Sequence, residues 1–412
     1  MGALCCAGEA CCSCLCGCCM RCCSTSHKQH MRLGYLVIMI LAAFFGMIFL
    51  YFGDEMMTPW TKFGFADCSG TDKSICLGVQ TIYRESFTLV LFYIIMLGLS
   101  IPGGRMSAII NQGCWLMKGL IITVLFIITF FIDNAFFDIY REISRYVSVA
   151  FLVMQIIVII DFAYTWNETW LENYENSSES GYWSFCLFFF SGLMWIVALT
   201  TIVLSYYWFT TDSGCELNIF LISLTLALGI IFTGLSLTGM VEHGSLLTSS
   251  AVNLYCVYLC LIGMASSSSS CNSWNDKAST AITIVLGLFA ALIMLLYVTF
   301  RKREAKDEQA PIRGVAEAVL AEEDDGNEAA PYKEEDDNES PSKMVFFHLL
   351  MILTSIYFAM LLTNWGAAHT GGASYDHNEG SMWVNFSALW FTVLLYIWSL
   401  LAPKICSGRD FS

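Results

Sequence analysis

A dense group of cysteines opens the chain and raises the first question of chemistry. Residues 10–23 read ACCSCLCGCCMRCC, and with Cys5 and Cys6 they bring ten of the 19 cysteines into the first 23 residues. Cysteine thiols can bind zinc or an iron–sulfur cluster, form disulfides or accept acyl chains. Disulfides persist in oxidising compartments and are rare in the cytosol. The side of the membrane on which this segment lies therefore decides its chemistry.

Two charged side chains fall inside long apolar runs. Lys118 lies near the start of one run, and Asp161 lies near the end of the next. Charged groups within a bilayer are costly and mark candidate functional sites. Because consecutive helices are antiparallel, the two residues are expected at similar depth, where an ion pair would relieve the cost of burying each. A structural pair, side chains that reach the interface, and contact with a lipid headgroup or polar solute all remain open interpretations.

The sequence contains none of the common catalytic fingerprints. There is no G-x-S-x-G, H-E-x-x-H, P-loop or dinucleotide-binding pattern. None of the six histidines is placed at metal-ligand spacing with carboxylates inside an apolar run. The net charge of −15 argues against nucleic acid as a partner, because phosphate binding needs clustered Lys and Arg. We expect no catalytic residues, no metal site and no cofactor.

Composition indicates an integral membrane protein of all-α class. Hydrophobic residues make up 57% of the chain and charged residues 13%, against roughly 25% charged in soluble domains. A membrane span needs about 20 apolar residues. By this measure the sequence predicts about ten transmembrane helices, at 33–53, 86–102, 114–133, 146–165, 183–209, 217–240, 251–266, 279–300, 344–364 and 383–402.

The fourth predicted helix is expected to be unusually long. No Gly or Pro occurs between Gly119 and Gly181, and a turn is needed only near Asp133. The helix is therefore predicted from about 139 to 171, which at 1.5 Å per residue exceeds the roughly 30 Å hydrocarbon core. Such a helix would tilt or project into the cytosol. The alternative is an ordinary span with a polar tail.

Lys and Arg counts predict a cytosolic position for both termini. That orientation puts fourteen of the 20 basic residues in inside segments. The outside segments hold the other six, which are Lys62, Lys73, Arg84, Arg141, Arg145 and Lys277. The membrane itself is expected to be an endomembrane or the plasma membrane.

Four segments follow from this topology. They are a cytosolic Cys-rich segment (1–32), eight helices (33–300), a cytosolic loop (301–343), and two helices with a short cytosolic C-terminus (344–412). The loop is highly charged and has almost no large apolar residues, so it is expected to be disordered. It would act as a solvated tether or as a docking or phosphorylation segment.

The same topology separates the cysteines by compartment. Four fall in outside loops, where disulfides form: Cys68, Cys76, Cys215 and Cys271. Cys68 with Cys76 and Cys215 with Cys271 are suggested pairs, although four cysteines allow three pairings. In the cytosol, cysteines just before a membrane helix suit S-palmitoylation. The candidates are Cys11, Cys12, Cys14, Cys16, Cys18, Cys19, Cys22 and Cys23; a metal site and the absence of defined chemistry are the alternatives.

Short motifs spread from about residue 80 to the C-terminus together resemble the serine incorporator (Serinc) family. These motifs are Tyr83-Arg84 with Ser86-Phe87, Asn111-Gln112-Gly113-Cys114-Trp115 leading to Lys118, Asp161-Phe162-Ala163 with Trp166-Asn167-Glu168 and Trp170, Asp212 with Gly214-Cys215, Asn218, Phe220 and Ser223, Phe347-His348-Leu349, Leu362-Thr363 with Trp365, Leu394-Leu395-Tyr396 with Trp398, Ala402-Pro403, and Arg409-Asp410-Phe411-Ser412. The Cys-rich start is also similar to that of the family. The chain departs from the family in its short loops at 241–250 and 265–278.

The resemblance implies ten helices in two bundles that a long, tilted fourth helix crosses. It also implies phospholipid partners, with two activities: ATP-independent phospholipid scrambling and support of serine incorporation into phosphatidylserine and sphingolipids. Lys118 and Asp161, with Asn111 and Trp115, would line or hold a groove for lipid headgroups. The alternative function is a non-catalytic scaffold whose acidic loop recruits lipid-biosynthetic or trafficking partners. Direct binding of serine and a homo-oligomeric state are left open.

Overall fold

The structure, a computed structural model, has helices as the only regular secondary structure in the residues that it describes. These are residues 28–57, 73–102, 107, 110–113, 115–176, 180–211, 213–238, 245–267, 269–274, 277–300, 341–363, 365 and 379–405. The ten helices are α1 Lys28–Met57, α2 Lys73–Ser100, α3 Trp115–Thr129, α4 Asn134–Asn176, α5 Ser180–Phe209, α6 Glu216–Leu237, α7 Leu246–Ala265, α8 Lys277–Phe300, α9 Pro341–Leu362 and α10 Glu379–Ile405.

Within these described ranges, nine helices are long and apolar enough to cross a membrane. The chain is therefore a multi-pass integral membrane protein of all-α class, as its composition predicts. The exception is α3, which has 15 residues where a span at 114–133 was predicted. Arg84 of α2 stabilises the turn that ends α3, because its guanidinium donates hydrogen bonds to the carbonyl oxygens of Thr129 (3.2 Å) and Ile132 (3.3 Å).

All the helices except α3 begin earlier in the chain than their predicted spans, and α2 and α7 show why. The start of α2 was predicted at residue 86 and lies at Lys73. Arg84 therefore lies within a helix, and the prediction that it lies in an outside loop was wrong. The start of α7 was predicted at 251 and lies at Leu246. Its first turn tolerates polar residues because Ser249 and Ser250 each return a hydroxyl hydrogen bond to a backbone carbonyl, both at 2.9 Å.

The long fourth helix is present and exceeds its predicted length. It covers 43 residues, Asn134–Asn176, where 139–171 was expected. At about 1.5 Å per residue it is roughly 65 Å long. The predicted turn near Asp133 is also present, since the Asp133 carboxylate accepts a hydrogen bond from the backbone N–H of Ala135 (2.9 Å) and thereby caps the new helix.

The chain divides into two compact units, in agreement with the predicted two bundles. The first unit comprises residues up to Phe151 together with Glu328–Ser374, and so contains α1, α2, α3, the start of α4, and α9. Its central element is α2, which packs against α1, α3 and α9. The start of α4 joins this packing through Tyr140, whose hydroxyl lies 2.8 Å from that of Ser86.

The second unit comprises Leu152–Asn327 and Tyr375–Ser412, and so contains the rest of α4, α5 to α8, and α10. Its central element is α7, which packs against α5, α6, α8 and α10. Gly263 lets the ring of Phe386 from α10 approach the α7 backbone, because a Cβ at that position would lie 2.8 Å from the ring. Small residues at such contacts are typical of helix packing in membranes.

Several predictions concern residues that lie outside the described ranges. These are the palmitoylation candidates of the Cys-rich segment, the acidic loop apart from its last three residues, and Cys68. The predicted chemistry of these residues stays a prediction.

Candidate functional site

Lys118 lies in a buried cluster of polar and aromatic side chains in the first unit. Its side chain is 2% exposed. The ammonium Nζ donates a hydrogen bond to the backbone oxygen of Asn111 (2.7 Å) and lies 4.1 Å from the ring centroid of Trp115 and 4.6 Å from that of Tyr35. The negative faces of the two rings stabilise the cation where water is excluded. We call Lys118, Asn111, Trp115, Tyr35 and His348 the Lys118 cluster.

The side chain of Asn111 links the helices around Lys118. Its amide nitrogen donates to the hydroxyl of Ser100 at the end of α2 and to the backbone oxygen of Ser107, both at 3.0 Å. Its amide oxygen accepts from the hydroxyl of Tyr35 on α1 (3.3 Å) and lies 2.9 Å from Nε2 of His348 on α9. One buried amide therefore ties α1, α2 and α9 to the residues that precede α3.

His348 is the member of the Lys118 cluster whose side chain has a hydrogen-bonding atom without a partner among the described residues. Its ring is fully buried, and because an amide oxygen can only accept, Nε2 must carry the proton that bonds Asn111. The other ring nitrogen, Nδ1, is then an acceptor, and it has no hydrogen-bond partner among the described residues. A buried acceptor without a partner costs about 1–3 kcal/mol, so the cluster retains unused capacity for a donor.

A glycine on α1 makes room for the cluster. A Cβ at Gly34 would overlap the ring of Trp115, so only glycine lets this ring lie against α1. The ring of Trp115 in turn contacts that of Tyr35, with centroids 5.2 Å apart. Gly34 therefore permits the position of Trp115, one of the two rings that lie against the Lys118 ammonium.

Arg84 is the second buried cation of the first unit. In addition to the two carbonyls of the α3–α4 turn, it donates to the side-chain oxygens of Gln80 (3.0 Å) and Asn134 (2.6 Å). Its guanidinium lies over the ring of Phe137, 4.2 Å from the centroid. These acceptors are all neutral, and they fix the turn between α3 and α4. We therefore assign Arg84 a structural role.

Asp161 lies in the second unit, on the part of α4 near α8. Its carboxylate accepts a hydrogen bond from the hydroxyl of Tyr297 on α8 (2.9 Å), and that hydroxyl also lies 3.1 Å from the hydroxyl of Thr165. Of the four predicted headgroup residues, Lys118, Asn111 and Trp115 therefore lie together, and Asp161 belongs to a different cluster. The ion pair between Lys118 and Asp161 would join the two units and stays a prediction.

The cysteines in the described part of the chain fall into two classes. Cys215 and Cys271 form a disulfide within the second unit, which confirms one of the suggested pairs. Cys76 is also disulfide-bonded. Cys186, Cys256 and Cys260 are buried free thiols. In the part of the chain that the structure describes, no three His, Cys, Asp or Glu side chains lie close enough to hold a metal ion.

Sequence reasoning missed two members of the Lys118 cluster and the burial of Arg84. Tyr35 and His348 come from helices far apart in sequence; the Phe347-His348-Leu349 motif marked His348 as part of the resemblance, but no residue spacing connected either side chain to Lys118. For Arg84 a signal existed: Gln80 precedes it by four residues, a spacing that puts an acceptor on the same helix face as the guanidinium.

Comparison with known proteins covers the chain almost from end to end. The family model described as serine incorporator (Serinc) matches residues 4–409. A probable serine incorporator of Nematostella vectensis is 28% identical over 96% of this chain and 94% of its own length. Serine incorporator 3 of Bos taurus is 26% identical over 97% of this chain and 95% of its own length. A match of this extent means that the chain belongs to the serine incorporator family.

Proposed function

We propose that this protein moves phospholipids between the leaflets of its membrane without ATP, and that it thereby supports serine incorporation into phosphatidylserine and sphingolipids. The observation that carries the proposal is the Lys118 cluster, which holds a cation inside an apolar helical unit. Scrambling needs no catalytic residue. It needs polar groups that lower the cost of taking a charged headgroup through hydrocarbon. The relatives' name, serine incorporator, supports the link to serine-derived lipids.

In the present conformation Lys118 is enclosed, so a headgroup phosphate can reach it only after the cluster opens. Opening would break one hydrogen bond from a charged donor and two cation–π contacts. Those interactions are worth about 2–4 kcal/mol together, because each is partly replaced by water or headgroup contacts. A minor open state of about 0.1–3% is then expected, which suits passive exchange. The free acceptor of His348 offers a second contact to an incoming donor group.

The proposal includes a topology and a location. Both termini would lie in the cytosol, because that orientation keeps most Lys and Arg on the inside. The host membrane would be an endomembrane or the plasma membrane. The alternative function, a scaffold that recruits lipid-biosynthetic enzymes through the acidic loop, would not require the Lys118 cluster at all.

Lipid flipping by purified protein tests the proposal. Liposomes with a fluorescent phospholipid would be quenched from outside with dithionite, with and without the full-length protein. Wild type should flip lipid well above empty liposomes. Lys118→Met should slow flipping about tenfold or more, because each 1.36 kcal/mol of lost charge stabilisation is a factor of ten.

The matched control is Leu116→Ala, on the same helix, whose side chain is 67% exposed on the outer face of the unit. It should flip like wild type. If Lys118→Met also flips like wild type, the cluster does not serve lipid passage. If wild type is no faster than empty liposomes, the transport function fails and the scaffold becomes the better account.

A further inference from the structure

We infer that Glu85 of α2 is a binding site for the ammonium group of a lipid headgroup within the first unit. This inference rests on the proposed function, since it takes lipids as the ligands, and it names the headgroup chemistry and the residue that meets it. Phosphatidylcholine, phosphatidylethanolamine and phosphatidylserine all carry an ammonium group, whereas phosphatidylglycerol does not.

Glu85 is a carboxyl group within a membrane span. The span of α2 covers Cys76–Ser100, and Arg84 and Glu85 are its charged residues. Glu85 follows Cys76 by nine residues, which is about 14 Å along the helix and within a hydrocarbon core of roughly 30 Å. A charge at such a depth is costly and marks a candidate functional site that needs a partner.

Among the described residues, the protein itself supplies no such partner to Glu85. The neighbouring cation, Arg84, directs its guanidinium to Gln80 and to the α3–α4 turn. By contrast, Glu142 of the same unit pairs with Arg145 (3.0 Å). The carboxylate of Glu85 makes no hydrogen bond or ion pair within the described ranges, so both of its oxygens keep their capacity for a cation.

The carboxylate lies where α1 and α9 meet α2. A Cβ at Gly46 of α1 would lie 3.2 Å from Oε2 of Glu85 and 2.7 Å from Cδ1 of Leu362 on α9. Because α1 has no side chain at this point, the carboxylate lies directly against its backbone. Glu85 is half-buried, so part of its side chain remains accessible from outside the unit.

A lipid is well placed to reach this carboxylate. The span of α1 is 39% buried within the protein, so most of this helix faces lipid. Both α1 and α9 pack mainly on α2 and meet each other over a smaller area. We therefore expect a headgroup to approach Glu85 along the line where α1 and α9 meet. A soluble ion would have to cross hydrocarbon to the same depth, which is costly for a charge.

An ammonium group also fits these surroundings better than a metal ion. Residues 33–53 of α1 and 344–365, which include the α9 span, contain no Asp, Glu, Lys or Arg, so an incoming cation meets a single counter-charge. A metal ion needs several oxygen ligands, and no three His, Cys, Asp or Glu side chains lie close enough together in the described part of the chain. An alkylammonium needs one carboxylate, and its carbon atoms tolerate apolar neighbours such as Leu362.

Glu85 and the Lys118 cluster lie at different places along α2. Ser100, at the end of the α2 span, accepts a hydrogen bond from Asn111 of the Lys118 cluster (3.0 Å). Glu85 precedes Ser100 by 15 residues, which is about 22 Å along the helix. A zwitterionic headgroup carries one charge of each sign. Lys118 would attract its phosphate at one depth, and Glu85 would attract its ammonium at another.

Native mass spectrometry of the full-length protein in detergent measures the site directly. Phosphatidylcholine and phosphatidylglycerol with identical acyl chains would compete for the protein; the second lipid keeps the phosphate and the chains but lacks the ammonium. Glu85→Gln keeps the size of the side chain and removes the charge. It should shift the bound ratio of the two lipids about tenfold toward phosphatidylglycerol, the factor expected for the loss of one charged contact.

Two further variants separate the charge from the packing. Glu85→Asp keeps the charge on a shorter side chain and should keep a ratio close to that of wild type. The matched control is Glu142→Gln, which makes the same chemical change at a carboxylate paired with Arg145 and should leave the ratio unchanged. In liposomes, Glu85→Gln should slow the flipping of phosphatidylcholine more than that of phosphatidylglycerol, whereas a purely structural role would slow both alike.

The outcomes distinguish the site from the function on which it rests. An unchanged lipid ratio in Glu85→Gln, or equal shifts in Glu85→Gln and Glu85→Asp, would overturn the ammonium site even if the protein flips lipid. A shift confined to Glu85→Gln would support the site even if reconstituted protein flips nothing. Free choline that displaces phosphatidylcholine at matched concentration would overturn the assignment to a lipid in favour of a soluble amine.

Discussion

Both units bury hydroxyl groups, but among the described residues only the first unit also buries cations. Arg84 and Lys118 are the fully buried charged residues in the described part of the chain, and both belong to the first unit. The central helix of the second unit, α7, carries no charge and buries Thr248, Ser249 and Ser250. The difference shows two solutions to the same problem, because in hydrocarbon every polar group must find a partner within the protein.

Hydroxyl groups bonded to their own helix and buried cations differ in the function that they can support. A hydroxyl that donates a hydrogen bond to a carbonyl of its own helix needs no partner on a neighbouring helix and permits tight packing. The helix α7 therefore suits a structural core. A buried cation held by carbonyls and rings keeps a full charge at a fixed place. The first unit therefore holds a buried positive charge at Lys118, whereas the carboxylate of Asp161 in the second unit is half-buried.

The largest effect is expected from removal of the structural cation of the first unit. Arg84→Met removes the donor that the guanidinium supplies to the carbonyls of Thr129 and Ile132 and to the side chains of Gln80 and Asn134, and each buried or half-buried acceptor that loses a donor costs about 1 kcal/mol. We expect a loss of about 3 kcal/mol, visible as a lower melting midpoint in fluorescence-detected size-exclusion chromatography. Arg145→Met should cost much less, since Arg145 is partly exposed and, among the described residues, bonds only the carbonyl of Trp365 and the exposed carboxylate of Glu142. Equal losses in the two variants would contradict the structural role of Arg84.

The second unit should depend on its covalent link in the same assay. The double variant Cys215→Ser, Cys271→Ser removes a disulfide that closes a loop of 56 residues, which is expected to cost about 2–4 kcal/mol. Cys186→Ala, at a buried free thiol in the same unit, is the control and should cost less. If reduction of the wild-type protein leaves its melting midpoint unchanged, the disulfide does not stabilise the unit.

Close helix packing within the first unit gives a third prediction. A Cβ at Gly78 of α2 would overlap the backbone oxygen of Phe49 on α1, so Gly78→Ala should force the two helices apart and cost about 1–3 kcal/mol. Gly98 lies on the same helix beside open space, since no atom lies within 4 Å of the place that a methyl would occupy, and Gly98→Ala should stabilise by up to about 1 kcal/mol. Melting midpoints that move in opposite directions would support this packing. Tolerance of Gly78→Ala would argue against so close an approach of α1 and α2.

The smallest effect concerns the carboxyl group next to Arg84. Glu85 lies in the α2 span with its Oε2 directed at Gly46, and it makes no hydrogen bond or ion pair among the described residues. Glu85→Gln replaces a carboxyl group whose ionisation in the membrane would be costly by a neutral amide of the same size, and it should raise stability by about 1 kcal/mol. Glu142→Gln is the control, because Glu142 pairs with Arg141 and Arg145 and should lose slightly. A destabilised Glu85→Gln would indicate a cation partner for this carboxylate.

Hydrophobicity alone predicts the existence of the helices, since each span must be apolar to lie in lipid. It misplaces the ends of helices where a polar side chain finds its hydrogen-bond partners within the protein. With Arg84 counted as a loop residue, the predicted start of α2 came thirteen residues after the observed start at Lys73, because the acceptors of Arg84 in the α3–α4 turn cannot be seen in a local window. The same bonds stabilise the early end of α3. The hydroxyls at the start of α7 have the same effect on a smaller scale.

The candidate site was predictable only in part, for a similar reason. Asn111 and Trp115 lie close to Lys118 in sequence, so one segment brings them together. Tyr35 and His348 reach the cluster from α1 and α9 through tertiary packing, which residue spacing does not encode. Asp161 matches Lys118 in predicted depth, but the hydrogen bond that positions its carboxylate comes from Tyr297 on another helix of its own unit.

The measurement that tests the central claim most directly is lipid flipping by two variants in parallel, Lys118→Met and a deletion of residues 304–340. If the helical units move the lipid, the deletion variant should flip at the wild-type rate, and Lys118→Met should be about tenfold slower or worse. The opposite pattern, a deletion variant reduced to the level of empty liposomes beside an active Lys118→Met, would contradict the account and assign the activity to the acidic loop.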